Sequence, residues 1–180
     1  MTRLPDSAFW DFSLALYARP GVAAACLRLQ DRRGIDVNLL FLCLWLALDH
    51  GQALDADDIA RLIARARVVH EQVVKPLRTA RIALKAMIAA ETESLRPAIA
   101  RLRAEVKRSE LEAENLEQVL LAASRPHGPS VAAAARADLA KRNAEFYLTT
   151  IGAVSDSDAR DLAVIIGALP PPKPVDISTT

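Results

Sequence analysis

Cys26, Cys43, His50 and His70 carry the soft-metal ligand chemistry of the first half of this chain. Cys43 and His50 stand seven positions apart, so a helix would present both on one face. Two thiolates and two imidazoles would suit tetrahedral zinc. The spacings fit no zinc motif, however, and both cysteines sit in apolar runs that favour plain burial as thiols. His70-Glu71 begins like a metalloprotease helix, but Val74 occupies the place of the second histidine. No metal site is expected on these grounds.

Arg78, Arg81 and Lys85 fall at i, i+3 and i+7, with Lys75 one turn earlier. Such a face suits a phosphate, a carboxylate ligand or an acidic partner. Its structural alternative is a solvated surface, or pairing with core acids such as Asp11, Asp31 or Asp36. Asp11, Tyr17, Arg19, Asp31, Asp36 and Asn38 thread polar groups through an otherwise apolar segment. Two carboxylates there could serve as acid and base if burial raised one pKa. The alternative is capping, evident for Asp36, and structural pairs such as Arg19–Asp31 or Arg78–Asp11. The candidate binding residues are therefore Arg78, Arg81, Lys85, Lys75, Trp10, Asp11, Tyr17 and Trp45. No catalytic residue, metal ligand or cofactor is assigned. The chain carries no Gly-rich phosphate loop, GxSxG elbow or dinucleotide fingerprint.

The elements that must position these groups read as helices throughout. A first helix runs over about 7–18, with Asp6 as N-cap. Arg19-Pro20-Gly21 ends it, and a second runs to Arg33, where Gly34 fits a left-handed C-terminal cap. Asp36 caps a third helix to His50, apolar almost all round (Leu39-Leu40-Phe41-Leu42-Cys43-Leu44-Trp45-Leu46), as expected for the centre of a bundle. Asp55, with Asp57 and Asp58 in the first turn, opens a fourth. It runs past His70 to Val74, where Pro76 must kink it or start another. From Leu95 a stripe of alternating threes and fours (Leu95, Ile99, Leu102, Val106, Ser109, Ala113, Leu116, Leu120) has coiled-coil spacing. After Arg125-Pro126-His127-Gly128-Pro129 another helix follows over about 130–151. Ser155 and Asp158 begin a last short one.

These signals give an all-α protein: a compact bundle of about five helices over 7–92, a charged antiparallel helical hairpin over 93–153, a short helix over 154–168 and a Pro-rich mobile tail over 169–180. The net charge of +1 argues against nucleic-acid binding. The longest apolar run, 39–48, is about half of what a bilayer span needs. Two buried thiols and an N-terminus unlike a signal peptide point to the cytoplasm.

The blocks FWDFSLALYARPGV, ACLRLQDRRGIDVNLLFLCLWLA and VVKPLRTARIALK resemble the signature strings of the domain of unknown function 2390 family, small all-helical proteobacterial proteins, over about residues 8–90. The resemblance implies an all-helical bacterial protein with no established activity. Where that family often carries a tryptophan before the VVxPLR block, this chain has His70.

Two functions fit. The first is a non-catalytic scaffold that binds a protein partner or itself through the 95–120 seam. The second is a small-molecule or anion binder with its site near the Arg78/Arg81 face.

Overall fold

The computed structural model describes residues 7–126 and 129–171, and every regular element in it is helical. The helices are α1 (Ala8–Tyr17), α2 (Val22–Arg33), α3 (Val37–His50), α4 (Ala56–Val69), α5 (Lys75–Ala90), α6 (Arg96–Ala123), α7 (Arg136–Ile151) and α8 (Asp156–Gly167). A π-helical turn (His70–Val74) joins α4 to α5, and a 3-10 turn (Ala133–Ala135) precedes α7.

Most ends are set by local chemistry visible in the chain. Ser7 rather than Asp6, which lies outside the described residues, caps α1 by accepting from the Trp10 amide at 3.0 Å. Asp36 caps α3 through the amides of Asn38 (2.8 Å) and Leu39 (3.4 Å). Asp55 with Asp58, and Ser155 with Asp158, form capping boxes at α4 and α8. Gly51 ends α3 with φ +64°. A Cβ there would come within 2.7 Å of the Val131 carbonyl, so only glycine lets the 129–131 segment close over this helix end.

Helix α3 is the centre of the molecule. Every residue from Leu39 to Leu48 is buried, because α7 lies along one side of it while α1, α4 and α6 cover the rest. Each large side chain buried this way contributes about 2 kcal/mol of transfer free energy, which is why this helix dominates the core.

Helices α6 and α7, expected to face one another as a hairpin, find different neighbours: α6 lies mainly along α5, and α7 along α3. The cause is the distribution of polar groups on α6. Its inward residues are Glu110, Ala113, Glu117, Gln118 and Leu121, while Leu95, Leu102 and Leu116 of the leucine seam are 40–50% exposed. The carboxylates turn inward to meet arginines and a histidine, so one edge of the stripe (Leu95, Leu102, Ser109, Leu116) is left outside, while Ile99, Val106 and Leu120 are half-buried and Ala113 is buried. Helix α8 docks on α2 through buried acids. Asp158 takes Arg32 (2.9 Å) and Arg33 (3.1 Å), and Asp161 takes Arg28 and Arg32 (2.7 Å). No helix among the described residues is long and apolar enough to cross a membrane. Most of the expected Pro-rich tail, 172–180, lies outside the described residues, as do His127 and Gly128.

The π turn decides what α4 and α5 present to the interior. Leu62, Ala66, His70 and Val74 are buried and Arg78 half-buried, at steps of four. A regular helix advances only 3.6 residues per turn, so steps of four would carry this stripe steadily off the core. The wide turn, closed by the Lys75 amide on the His70 carbonyl, absorbs the excess. Pro76, which lacks an N–H, follows immediately. His70 and Arg78 thereby share one inward line.

Candidate functional site

A cavity of about 550 Å³ opens between α1, the first turn of α3, the start of α5 and the second half of α6. Its walls are largely apolar, with Trp10, Leu14 and Tyr17 from α1, Leu27 from α2 and Phe41 from α3. One end is polar: Asp36, Asn38, His70 and Gln118 reach it, and Arg78, Arg81, Glu110 and Glu114 flank them.

The polar end is built on a buried trio. The Nδ1 of His70 lies 3.3 Å from Oδ2 of Asp36 and 3.2 Å from Oε1 of Glu117. The three side chains are almost wholly removed from solvent, Glu117 completely. Each carboxylate is anchored by one oxygen and leaves the other toward the histidine. Oδ1 of Asp36 accepts the α3 amides, and Oε2 of Glu117 accepts from Nδ2 of Asn38 at 2.6 Å. Asn38 is held in turn by Nε2 of Gln118, which donates to its Oδ1 at 2.8 Å. The Tyr147 hydroxyl accepts from the Asp36 amide (3.0 Å) and donates to the Asp36 carbonyl (3.3 Å), fixing the backbone of that turn. The inward atoms Asp36 Oδ2, Glu117 Oε1 and both ring nitrogens of His70 have no aligned hydrogen-bond partner. Buried polar atoms are normally paired, and these four face one another at one spot, a crowded cluster at the polar end of the cavity.

Electrostatics follow from this crowding. Burial, followed by the charge of Glu117, raises the Asp36 carboxyl to about 7, against an opposing pull from His70. Burial alone would lower His70, but contact with Glu117 and the charge of Asp36 outweigh it and raise the imidazole above its ordinary value. Burial and the nearby Asp36 push Tyr147 well above 10. Cys26, at the cavity wall, is pushed up to about 12 by burial, so it stays a thiol and is no nucleophile.

Of the residues singled out by sequence, Arg78, Arg81, Trp10 and Tyr17 line the cavity. Both arginines are engaged already. Nε of Arg78 donates to Glu110 (3.0 Å) and its Nη2 to Glu114 (2.6 Å), while Arg81 grips Glu110 through two nitrogens. These guanidinium groups are thus matched by carboxylates of α6, not by Asp11, Asp31 or Asp36. Burial works to raise Glu110, yet Arg81 and Arg78 hold it below the usual carboxylate range. Lys75 pairs with Glu71 at 2.6 Å, Lys85 and Asp11 are exposed, and Trp45 stacks on Phe9 in the core with centroids 5.3 Å apart. The cysteines and histidines do not assemble as a set: His50 packs against Trp45 at 4.6 Å, and Cys43 is enclosed within α3's core.

Asp36 is legible in the sequence as a cap and as one of the carboxylates that could work as acid or base, whereas Glu117, Gln118, Glu110 and Glu114 are site residues the sequence does not single out. The available signal was their own spacing: 110, 114, 117 and 118 form one helix face, overlooked beside the leucine seam.

Fold and site together define a helical protein with a ligand-sized cavity closed at one end by buried ionisable groups. The chain matches the family described as Protein of unknown function (DUF2390) over residues 8–121, well over half its length, and it belongs to that family. The match extends past Ala90 to take in all but the last two residues of α6, so it contains the whole cavity lining and all three members of the trio. No curated protein and no solved structure matches the chain.

Proposed function

We propose that this protein binds a small amphipathic organic molecule in the cavity between α1, α3, α5 and α6. The observation that carries this reading is a ligand-sized volume with apolar walls whose polar end holds unpartnered, buried groups. Pockets of this kind bury most of a ligand against apolar walls and use a few convergent polar groups to orient it. The apolar body would lie along Trp10, Leu14, Tyr17 and Phe41, and the polar head against Asp36, Asn38 and His70. Since Arg78 and Arg81 are already matched by glutamates, the head is oriented by the trio rather than by a free arginine face.

Leu27, about half exposed at the wall, offers a clean block. With a panel of aromatic and medium-chain acids, alcohols and amines, at least one class raises Tm by several degrees at 100 times its Kd, because ligand bound at that excess adds about 2.7 kcal/mol. Leu27→Trp, which leaves the core untouched, abolishes the shift. A flat response across the panel, or shifts that persist in Leu27→Trp, would contradict the cavity as the binding site.

The exposed apolar residues of the α5–α6 pair, Ile82, Met87, Leu95 and Leu102, favour a second reading, in which the protein associates with a partner or itself through that surface. Sedimentation of wild type beside Ile82→Glu/Leu102→Glu distinguishes the two readings, since only the second predicts a mass that falls in the variant.

A further inference from the structure

Asp36, His70 and Glu117 offer one ligand atom each, and these atoms all lie within 4.8 Å of one another. We infer that the trio is a binding site for one divalent first-row transition-metal ion, facing the cavity through Asp36 and His70 and backed by Glu117. The inference goes beyond the small-molecule reading and stands whether or not the cavity takes an organic ligand.

Distance supports it first. Ligand atoms about 2.1 Å from a metal and 90–109° apart are separated by roughly 3.0–3.4 Å. The His70 Nδ1 contacts, 3.3 Å to Asp36 Oδ2 and 3.2 Å to Glu117 Oε1, fall in that interval. A proton on Nδ1 can serve only one of these two oxygens, so the other is left facing the imidazole without one. Anchoring supports it second. Metal-binding carboxylates are held by outer partners that fix their orientation. Here the α3 amides and Asn38 take one oxygen of each acid and leave the other toward the common point.

Chemistry narrows the ion. Two carboxylates and one imidazole favour zinc, iron or manganese over calcium, which takes six to eight oxygens, and over soft copper(I). Cys26 and Cys43 stand outside this group of ligand atoms. Asp36 and His70 line the cavity and Glu117 does not, so the ion would sit at the buried polar end of the cavity, completing its shell with oxygen donors.

The test uses full-length protein stripped with chelator, then titrated with Zn²⁺ alone by calorimetry and with Co²⁺ by visible absorption. One Zn²⁺ binds per chain, and Co²⁺ gives ligand-field bands in the visible. Asp36→Asn is the informative variant: asparagine caps helices as well as aspartate, so α3 is retained while the ligand charge is lost. Its Zn²⁺ affinity falls by about 100-fold or more, the Co²⁺ bands disappear, and the far-ultraviolet helix signal is unchanged. Glu117→Gln behaves alike. No Zn²⁺ binding by wild type, or binding and Co²⁺ bands unchanged in both variants, would overturn the site. Neither result bears on the Leu27→Trp ligand experiment, so the two failures are distinguishable.

Discussion

Metal-free protein is expected to lose about 2–3 kcal/mol of stability between pH 5 and pH 7.5, and Glu117→Gln is expected to lessen that loss. The sign follows from proton binding. Asp36 titrates near 7 in the fold against an ordinary value of 3.8, so between those limits the folded protein holds a proton that the unfolded chain has released. A group raised in this way contributes stability that is complete below its unfolded value and is lost as pH rises through the folded one. Each pH unit in that window costs about 1.36 kcal/mol per proton. His70 acts in the same sense, because its folded value is also raised. Glu110, Asp158 and Asp161 are lowered by their arginines, and Asp158 by Ser155 as well. Their contributions are present above ordinary carboxylate values and are lost only as pH falls below them. Stability of the metal-free protein therefore peaks near pH 5. Urea denaturation at a series of pH values checks this. A wild-type curve that is flat or rising from pH 5 to 7.5 would show that the trio is not crowded as described. Glu117→Gln removes the charge that Asp36 ionises against, and a glutamine amide can donate to Asp36.

Asn143→Leu is expected to cost about 3 kcal/mol or more while leaving the cavity's ligand and metal affinities unchanged. Asn143 on α7 is buried, and its amide nitrogen donates to the carbonyls of Cys43 (3.3 Å) and Gln52 (2.9 Å). Its Oδ1 accepts from the Leu54 amide at 3.2 Å. The isosteric leucine leaves the Leu54 N–H and the Gln52 carbonyl buried without partners, at about 1–3 kcal/mol each before relaxation, while the Cys43 carbonyl keeps its bond within α3. The neighbouring Arg142 is exposed, so Arg142→Leu should change stability by less than about 0.5 kcal/mol. Equal effects of the two substitutions, read as denaturation midpoints at constant m-value, would remove Asn143 from its structural role. It ties α7 to the middle of α3 and to the turn leading into α4.

How much of this was legible beforehand depends on whether a signal was local. The caps at Asp36, Asp55 and Ser155, the glycine ends at Gly34 and Gly51, and the buried α3 are written in a few consecutive residues and read correctly. Pro76 announced a disturbance, but not its form. A proline is equally compatible with a kink and with a π turn, and only packing against α6 selects the turn that carries His70 inward. The 95–120 stripe shows the opposite case. Its apolar period is regular, yet the helix buries the neighbouring face, because Glu110, Glu114 and Glu117 meet Arg78, Arg81 and His70, residues 29–47 positions away. Pattern alone ranks a leucine above a glutamate as a core residue. Paired charges and an unshared histidine reverse that ranking, and such pairing is invisible without tertiary structure. Asp36 was read as a cap, which it is. Its second oxygen is what gives it a further role.

Native mass spectrometry of the protein, gently purified from its own cells beside the Leu27→Trp variant, tests the central claim most directly. The account predicts one chain carrying a small organic mass that is released on denaturation and is missing from Leu27→Trp. A chain with no organic mass, or an organic mass retained unchanged in the variant, would contradict it.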